Sequence, residues 1–285
     1  MAKSNIAWTD YVWNPVTGCT QISAGCQNCY AKRMAETRLR GQCGYPADEP
    51  FRVTLHPERL SQPLNWKKAR IVFLCSMGDL FHPDVPFEYV TKIFKSMFAY
   101  IFDGSLTRHT YIWLTKRPER MREYLLNHAH VPALSHQSFE QWKPPNLWLG
   151  VTAENQAAAE KRIPILIDIP AAKRFVSVEP MLSKVYLNEP YKFDRTRSPY
   201  HSLMIDRLDW VICGGENAPN ARPMNPDWVR SLRDQCQAAE VPFFFKSWGE
   251  YMPFDFSYGK WCRWKNKKDP ARYQLDGKSY REWPE

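Results

Sequence analysis

No stretch of this 285-residue chain is apolar for long enough to cross a bilayer. The longest apolar runs, "IVFLC" at 71–75 and "VPFFF" at 241–245, have the length of a strand, whereas a spanning helix needs about 20 residues. The opening "MAKSNIAWTDY" lacks the apolar core of a signal peptide, so a soluble, cytoplasmic protein with no membrane partner is expected. There is no internal repeat and no low-complexity tract, which argues against a solenoid or a disordered tether. Also missing is a fourth cysteine close to the three near the N-terminus. Cys19, Cys26 and Cys29 fall within eleven residues, and the next, Cys43, lies well beyond them. No single loop therefore supplies a closed four-cysteine site.

What is present bounds the class. Hydrophobic residues make up 44% of the chain, enough for a sizeable core. The length suits one large α/β barrel-like domain or two ordinary ones. Eight cysteines without a signal peptide point to metal or redox chemistry rather than a disulfide framework. The formal charge of +9 suits a polyanionic partner, such as nucleic acid or a phosphate-bearing substrate. A merely solvated basic surface would give the same charge.

Six apolar runs, "RIVFLCSMGD", "TYIWLTKRP", "NLWLGVTAEN", "KRFVSVEP", "LDWVICGGEN" and "VPFFFKSWGE", read as strands buried on both faces because they show no polar alternation. A first strand is expected near "YVWNPV" (11–16). Helical patterns intervene at 86–103, 118–129, 155–169 and 225–240, where Asn225 can cap and Pro226 suits the first turn. Strand and helix in alternation imply βαβ units and a parallel sheet. The expected fold is a partial or irregular (β/α) barrel over residues 1–250, with loop insertions near 43–68, 130–145 and 183–207. A basic, aromatic C-terminal extension occupies 251–285, with eight Lys or Arg plus Trp261, Trp264 and Trp283. Cations mixed with aromatics suit a nucleic-acid strand. They suit equally a flap packed against the barrel.

Function gathers at the carboxyl ends of strands in such folds. Those ends hold Ser76, Asp79, Lys116, Arg117, Thr152, Glu154, Asn155, Glu179, Gly214, Gly215, Glu216 and Lys246, with Arg222 a few residues on. Taken singly, Asp79 reads as a turn cap and Glu179 as the partner of a nearby cation. Together they describe a polar mouth. The cysteine spacing, C-x6-C-x2-C, leaves three readings open: a structural zinc with Cys43 as fourth ligand, a four-thiolate electron-transfer cluster, or three thiolates on a 4Fe-4S cluster with one iron open.

The loop's place, after the first strand and before "QNCYAKRMAETRLR", is where radical S-adenosylmethionine (SAM) enzymes carry their cluster. Their usual spacing is C-x3-C-x2-C with an aromatic just before the last cysteine; here the first gap is longer and Tyr30 follows. The blocks "IAWTDYVWNPVTGC", "GCQNCYA", "CSMGDLFH", "WLTKRPERM", "LGVTAEN", "FVSVEPML", "DWVICGGENAPNARPMNPDWVRSLRDQC" and "VPFFFKSWGE" resemble, in order from about residue 5 to 250, a phage-associated family of uncharacterised three-cysteine proteins related to the radical SAM superfamily. The resemblance implies a radical SAM-type partial barrel and a 4Fe-4S cluster on Cys19, Cys26 and Cys29. It implies reductive cleavage of SAM to a 5′-deoxyadenosyl radical that abstracts a substrate hydrogen, and an electron donor such as flavodoxin or ferredoxin.

By position, Ser76, Asp79, Thr152, Glu154, Asn155, Glu179, Gly214, Gly215 and Glu216 are the expected SAM contacts. Lys116, Arg117, Arg222 and Lys246 are the expected contacts to a carboxylate or phosphate of the substrate. The favoured substrate is a nucleic-acid base, nucleoside or nucleotide. The alternative is a nucleic-acid-binding protein with a structural zinc or a non-catalytic iron–sulfur site.

Overall fold

A computed structural model describes residues 4, 6–98, 109–129, 139, 143–189, 203–253 and 261–285. Most of the expected 130–145 insertion, the middle of the 183–207 insertion, the end of the 86–103 helix and residues 254–260 of the extension lie outside them. Among the described residues no helix is long and apolar enough to cross a membrane.

Seven strands form one sheet: β1 (Tyr11–Trp13), β4 (Arg70–Leu74), β5 (His109–Thr115), β6 (Leu147–Thr152), β7 (Lys173–Val178), β8 (Trp210–Gly214) and β9 (Phe243–Ser247). They lie in sequence order, and the β1–β4, β4–β5, β7–β8 and β8–β9 pairs are parallel. A sequential parallel order with a helix between most neighbours is the topology of a partial (β/α) barrel. Among the described residues the longer helices are α1 (Tyr30–Thr37), α2 (Phe87–Met97), α3 (Pro118–Asn127), α4 (Gln156–Ile167) and α5 (Pro226–Ala238).

The expected first strand is broken in two. β1 ends at Trp13, and β2 (Val16–Thr17) turns away to pair antiparallel with β3 (Thr54–Leu55). Pro15 lies at the break, where it has no N–H to donate to a ladder. The 43–68 region therefore holds β3 and two short 3-10 turns, Pro57–Arg59 and Gln62–Asn65.

The chain divides into two compact units. The first comprises Met1–Ile22, Tyr30–Gly150 and Asp168–Ala172. Its core sets the buried Val72, Leu74, Tyr111 and Trp113, which share one face of the sheet, beside Val90, Ile93, Phe94 and Met97 of α2, which recur at helical spacing and so share one face of the helix. The Phe94 and Phe81 rings pack edge-on to Trp113, with centroids 6.1 and 5.4 Å away.

The second unit comprises Ser23–Cys29, Val151–Ile167 and Lys173–Glu285. Every residue of β8 is buried, as is almost all of β9, which explains the unbroken apolar runs. Asn225 caps α5, accepting a bond from the Asp227 amide at 2.8 Å. The C-terminal segment of this unit covers the open edge of β9. The Phe245 amide donates to the Tyr280 carbonyl at 3.0 Å, the Phe243 amide donates to the Glu282 carboxylate at 2.8 Å, and Phe244 bridges to Arg281 in antiparallel sense. Trp283 stacks on the buried Trp210 with centroids 4.9 Å apart. An uncovered edge would offer unpaired backbone groups to other chains.

Replacing Trp283 with Ala should therefore lower stability by about 2 kcal/mol through lost burial and stacking. It should also raise the tendency to self-associate. Chemical denaturation and light scattering check this.

Candidate active site

The cysteine loop opens with a close backbone approach in the first unit. Gly18 holds φ at +82°, and a Cβ there would lie 2.1 Å from the Arg52 carbonyl oxygen, so no larger residue fits. Its amide donates to the Met77 carbonyl at 2.9 Å, which sets the start of the loop against the end of β4. Asn14 braces the same turn, its side-chain oxygen accepting from Ser76 Oγ and the Met77 amide.

Cys19 then meets Arg117, from the end of β5. One arm of the guanidinium donates to Cys19 Sγ at 3.3 Å and to Asp79 at 2.8 Å; the other donates to the carbonyl and hydroxyl of Thr20, both at 3.1 Å. Asp79 also accepts from the Thr115 hydroxyl at 2.7 Å and from the Phe81 amide at 3.0 Å. Burial works against the Arg117 charge, but the Asp79 carboxylate and the Cys19 sulfur outweigh it and hold its pKa above the ordinary value. A fixed cation thus faces the sulfur, the charge complement of a thiolate. His82 completes the set. Burial, aided by Arg117, depresses its pKa. Its Nδ1 accepts from the Asp84 amide at 3.1 Å, so the neutral ring carries its proton on Nε2, 2.8 Å from Thr20 Oγ1.

In the second unit two carboxylates grip the middle of the loop. Glu154, at the end of β6, is 1% exposed. It accepts from Arg162 at 2.7 Å, from the Ser23 side chain and from the Gly25 amide at 3.4 Å. Arg162 lies on α4 and also donates to the Thr152 carbonyl at 2.8 Å. Glu216, just past β8, accepts from Asn28 at 2.9 Å and from the amide, Nε and terminal nitrogen of Arg222, the last at 2.6 Å. Arg222 reaches on to the Ala24 carbonyl at 3.0 Å and the Gln27 side chain at 3.2 Å. Asn28 donates to the Asn220 carbonyl as well, at 2.8 Å. Loop residues 23–28 are thus bonded to the ends of β6 and β8.

The other sequence-predicted residues sit as follows. Asn155 accepts from the Ala158 amide at 2.9 Å and so caps α4. Glu179 pairs with Lys246, the two lying at the ends of β7 and β9 and both partly open to solvent. The space beside Gly215 is filled by the Trp248 carbonyl, and that beside Gly214 by the Glu179 side chain. Lys116 has no ion-pair partner among the described residues. Cys75 and Cys213 are buried in the apolar layer, where desolvation lifts the Cys75 thiol to about 12.

Sequence reasoning passed over Arg162, Asn28 and Thr20. Arg162 alone left a signal, lying two helical turns beyond Glu154.

Burial opposes ionisation of Glu154 and Glu216, yet their hydrogen bonds and cations prevail: Ser23 and Arg162 for the first, Arg222 and Asn28 for the second. Both carboxyls are held below the ordinary range. A lowered folded-state pKa gives stability that is complete above the unfolded value and lost as pH falls through the folded one. Glu154→Gln and Glu216→Gln should therefore flatten the loss of stability below about pH 4.3, measured by denaturation across an acid series. Arg117→Ala, which strands the buried Asp79, should cost about 3–5 kcal/mol at neutral pH in the same assay.

No curated protein matches the chain. Three solved chains are similar to it. A spore photoproduct lyase complexed with dinucleoside spore photoproduct is 11% identical, with a TM-score of 0.44, over 82% of this chain and 62% of that one. A cysteine-to-serine mutant of spore photoproduct lyase is 13% identical, with a TM-score of 0.45, over 93% and 71%. A double mutant with bound AdoMet and dinucleoside spore photoproduct is 12% identical, with a TM-score of 0.43, over 82% and 62%. The chain thus spans less than two thirds of the length of the first of these. The profile of a family described as protein of unknown function (DUF5131) matches residues 3–284, and the chain belongs to that family.

Proposed function

We propose that this protein is a radical SAM enzyme that modifies a nucleic-acid base, nucleoside or nucleotide. The observation that carries this reading is that Cys19, Cys26 and Cys29 share one loop, which follows β1 and β2 and leads into α1 in a chain whose sheet is sequential and parallel.

The residues fit a 4Fe-4S cluster with one iron left open. All three thiols are partly open to solvent, and none is joined in a disulfide. Among the described residues no three Cys, His, Asp or Glu side chains gather as ligands of a single ion. A cluster does not ask for that convergence, because each thiolate takes a different iron. Such a cluster, reduced by a flavodoxin- or ferredoxin-type donor, would supply the one-electron chemistry that splits SAM into methionine and a 5′-deoxyadenosyl radical able to abstract a substrate hydrogen.

The chain's own residues bind and orient. Cys19, Cys26 and Cys29 would hold the irons, and Arg117, bonded to Cys19 Sγ, would balance the charge there. Ser76, Thr152 and Glu179 are proposed for SAM. Lys116 and Lys246 are proposed for the phosphate or carboxylate of the substrate.

Protein purified without oxygen should carry about four irons and four sulfides per chain, and should form 5′-deoxyadenosine from SAM and dithionite. Cys26→Ala should abolish both. One zinc per chain, with no iron and no SAM cleavage, overturns the reading. For the substrate class, affinity for single-stranded nucleic acid should fall steeply with salt. Binding indifferent to salt contradicts phosphate contacts.

A further inference from the structure

The longer first gap of the cysteine motif places six residues between Cys19 and Cys26, a length that would ordinarily leave the thiols on a slack segment. The structure shows the reverse of slack. Within the gap and just beyond it, six residues are bonded to groups that follow the strands: Thr20 to Arg117, Ser23 and Gly25 to Glu154, Ala24 and Gln27 to Arg222, and Asn28 to Glu216. The Cys26 amide donates to the Ser23 carbonyl at 2.9 Å, closing a 3-10 turn. Packing adds to the bonding, since a Cβ on Gly25 would lie 3.1 Å from the Glu154 carboxyl carbon. Glu216 has both oxygens engaged by the chain itself, and Glu154 likewise.

We propose that Glu154 with Arg162, and Glu216 with Arg222 and Asn28, are positioning residues that pre-form the cysteine loop so that it accepts and retains the cluster. The inference rests on the reading of the loop as a cluster site. It assigns "GGE" (214–216) a different task from ligand contact: its glutamate holds the protein loop that carries two of the three thiols. A loop ordered in advance loses little conformational freedom when the irons bind, which favours retention. Groups that orient metal ligands commonly change metal affinity about 10–100-fold when removed.

The test uses Asn28→Ala and Arg222→Lys, both at partly exposed side chains, so the fold should survive. Arg222→Lys keeps the charge but loses the planar fork that joins Glu216 to Ala24 and Gln27. Two readouts are taken: hydrogen–deuterium exchange of residues 24–29 in the cluster-free full chain, and the rate at which a chelator bleaches the reconstituted protein. Both variants should exchange the Gly25, Cys26 and Gln27 amides about 10-fold faster and lose the cluster about 10-fold faster, with melting cooperativity unchanged. Wild-type exchange rates in the variants overturn the clamp. Faster exchange with unchanged bleaching overturns its role in retention. If the wild-type chain takes up no iron at all, the cluster reading itself falls, while the exchange arm still decides whether the loop is held as described.

Discussion

A charge taken out of water must be matched bond for bond, and three guanidinium–carboxylate pairs of this chain, one in the first unit and two in the second, meet that condition. Arg162 and Glu154 are almost wholly buried, as are Arg117 and Asp79. Arg222 remains partly open while its partner Glu216 is buried. Pairs of this kind add little net stability against an apolar alternative, yet removing one member is costly because the other is stranded. Their value here lies in direction. Each pair has bonds left over after neutralising itself, and each spends them on the cysteine loop: Arg117 on Cys19 and Thr20, Glu154 on Ser23 and Gly25, Arg222 on Ala24 and Gln27.

This arrangement explains why so many polar residues crowd the strand ends. Charged groups at the mouth of a (β/α) fold invite assignment to substrate or cofactor. Here a good part of them are engaged by the chain, and the less constrained groups are Lys116 and the Glu179–Lys246 pair. The basic C-terminal extension divides in a similar way. Its last residues are structural, covering β9 and stacking Trp283 on Trp210. Its cationic turn at 263–268 presents Arg263, Lys265, Lys267 and Lys268 to solvent, with Trp264 buried beneath.

The strands were legible in the sequence because they are apolar on both faces: five of the seven lie within the runs that composition marks out, and β5 starts one residue ahead of its run. The first was legible only in part. A three-residue strand carries almost no periodicity, and the break at Pro15 sends β2 to a partner almost 40 residues away, which no local pattern announces. The three cysteines and the polar residues that follow the strands could be read from spacing and order. The pairing among those residues could not. Gly25 and Glu154 are 129 residues apart, and Asn28 and Glu216 are 188 apart, so only the folded chain shows which acceptor each donor meets. Asn155 illustrates the same limit, since as a residue type it suits a ribose contact and a helix cap equally, and its position at the start of α4 engages it as a cap.

The central claim is that the loop from Cys19 to Cys29 carries a cluster with one iron open to SAM. The most direct measurement is electron paramagnetic resonance of the dithionite-reduced protein, recorded with and without SAM. The account predicts the signal of a reduced 4Fe-4S cluster whose shape changes when SAM is added, because SAM binds the open iron. A reduced cluster whose signal is indifferent to SAM, or a reduced protein with no cluster signal, would contradict it.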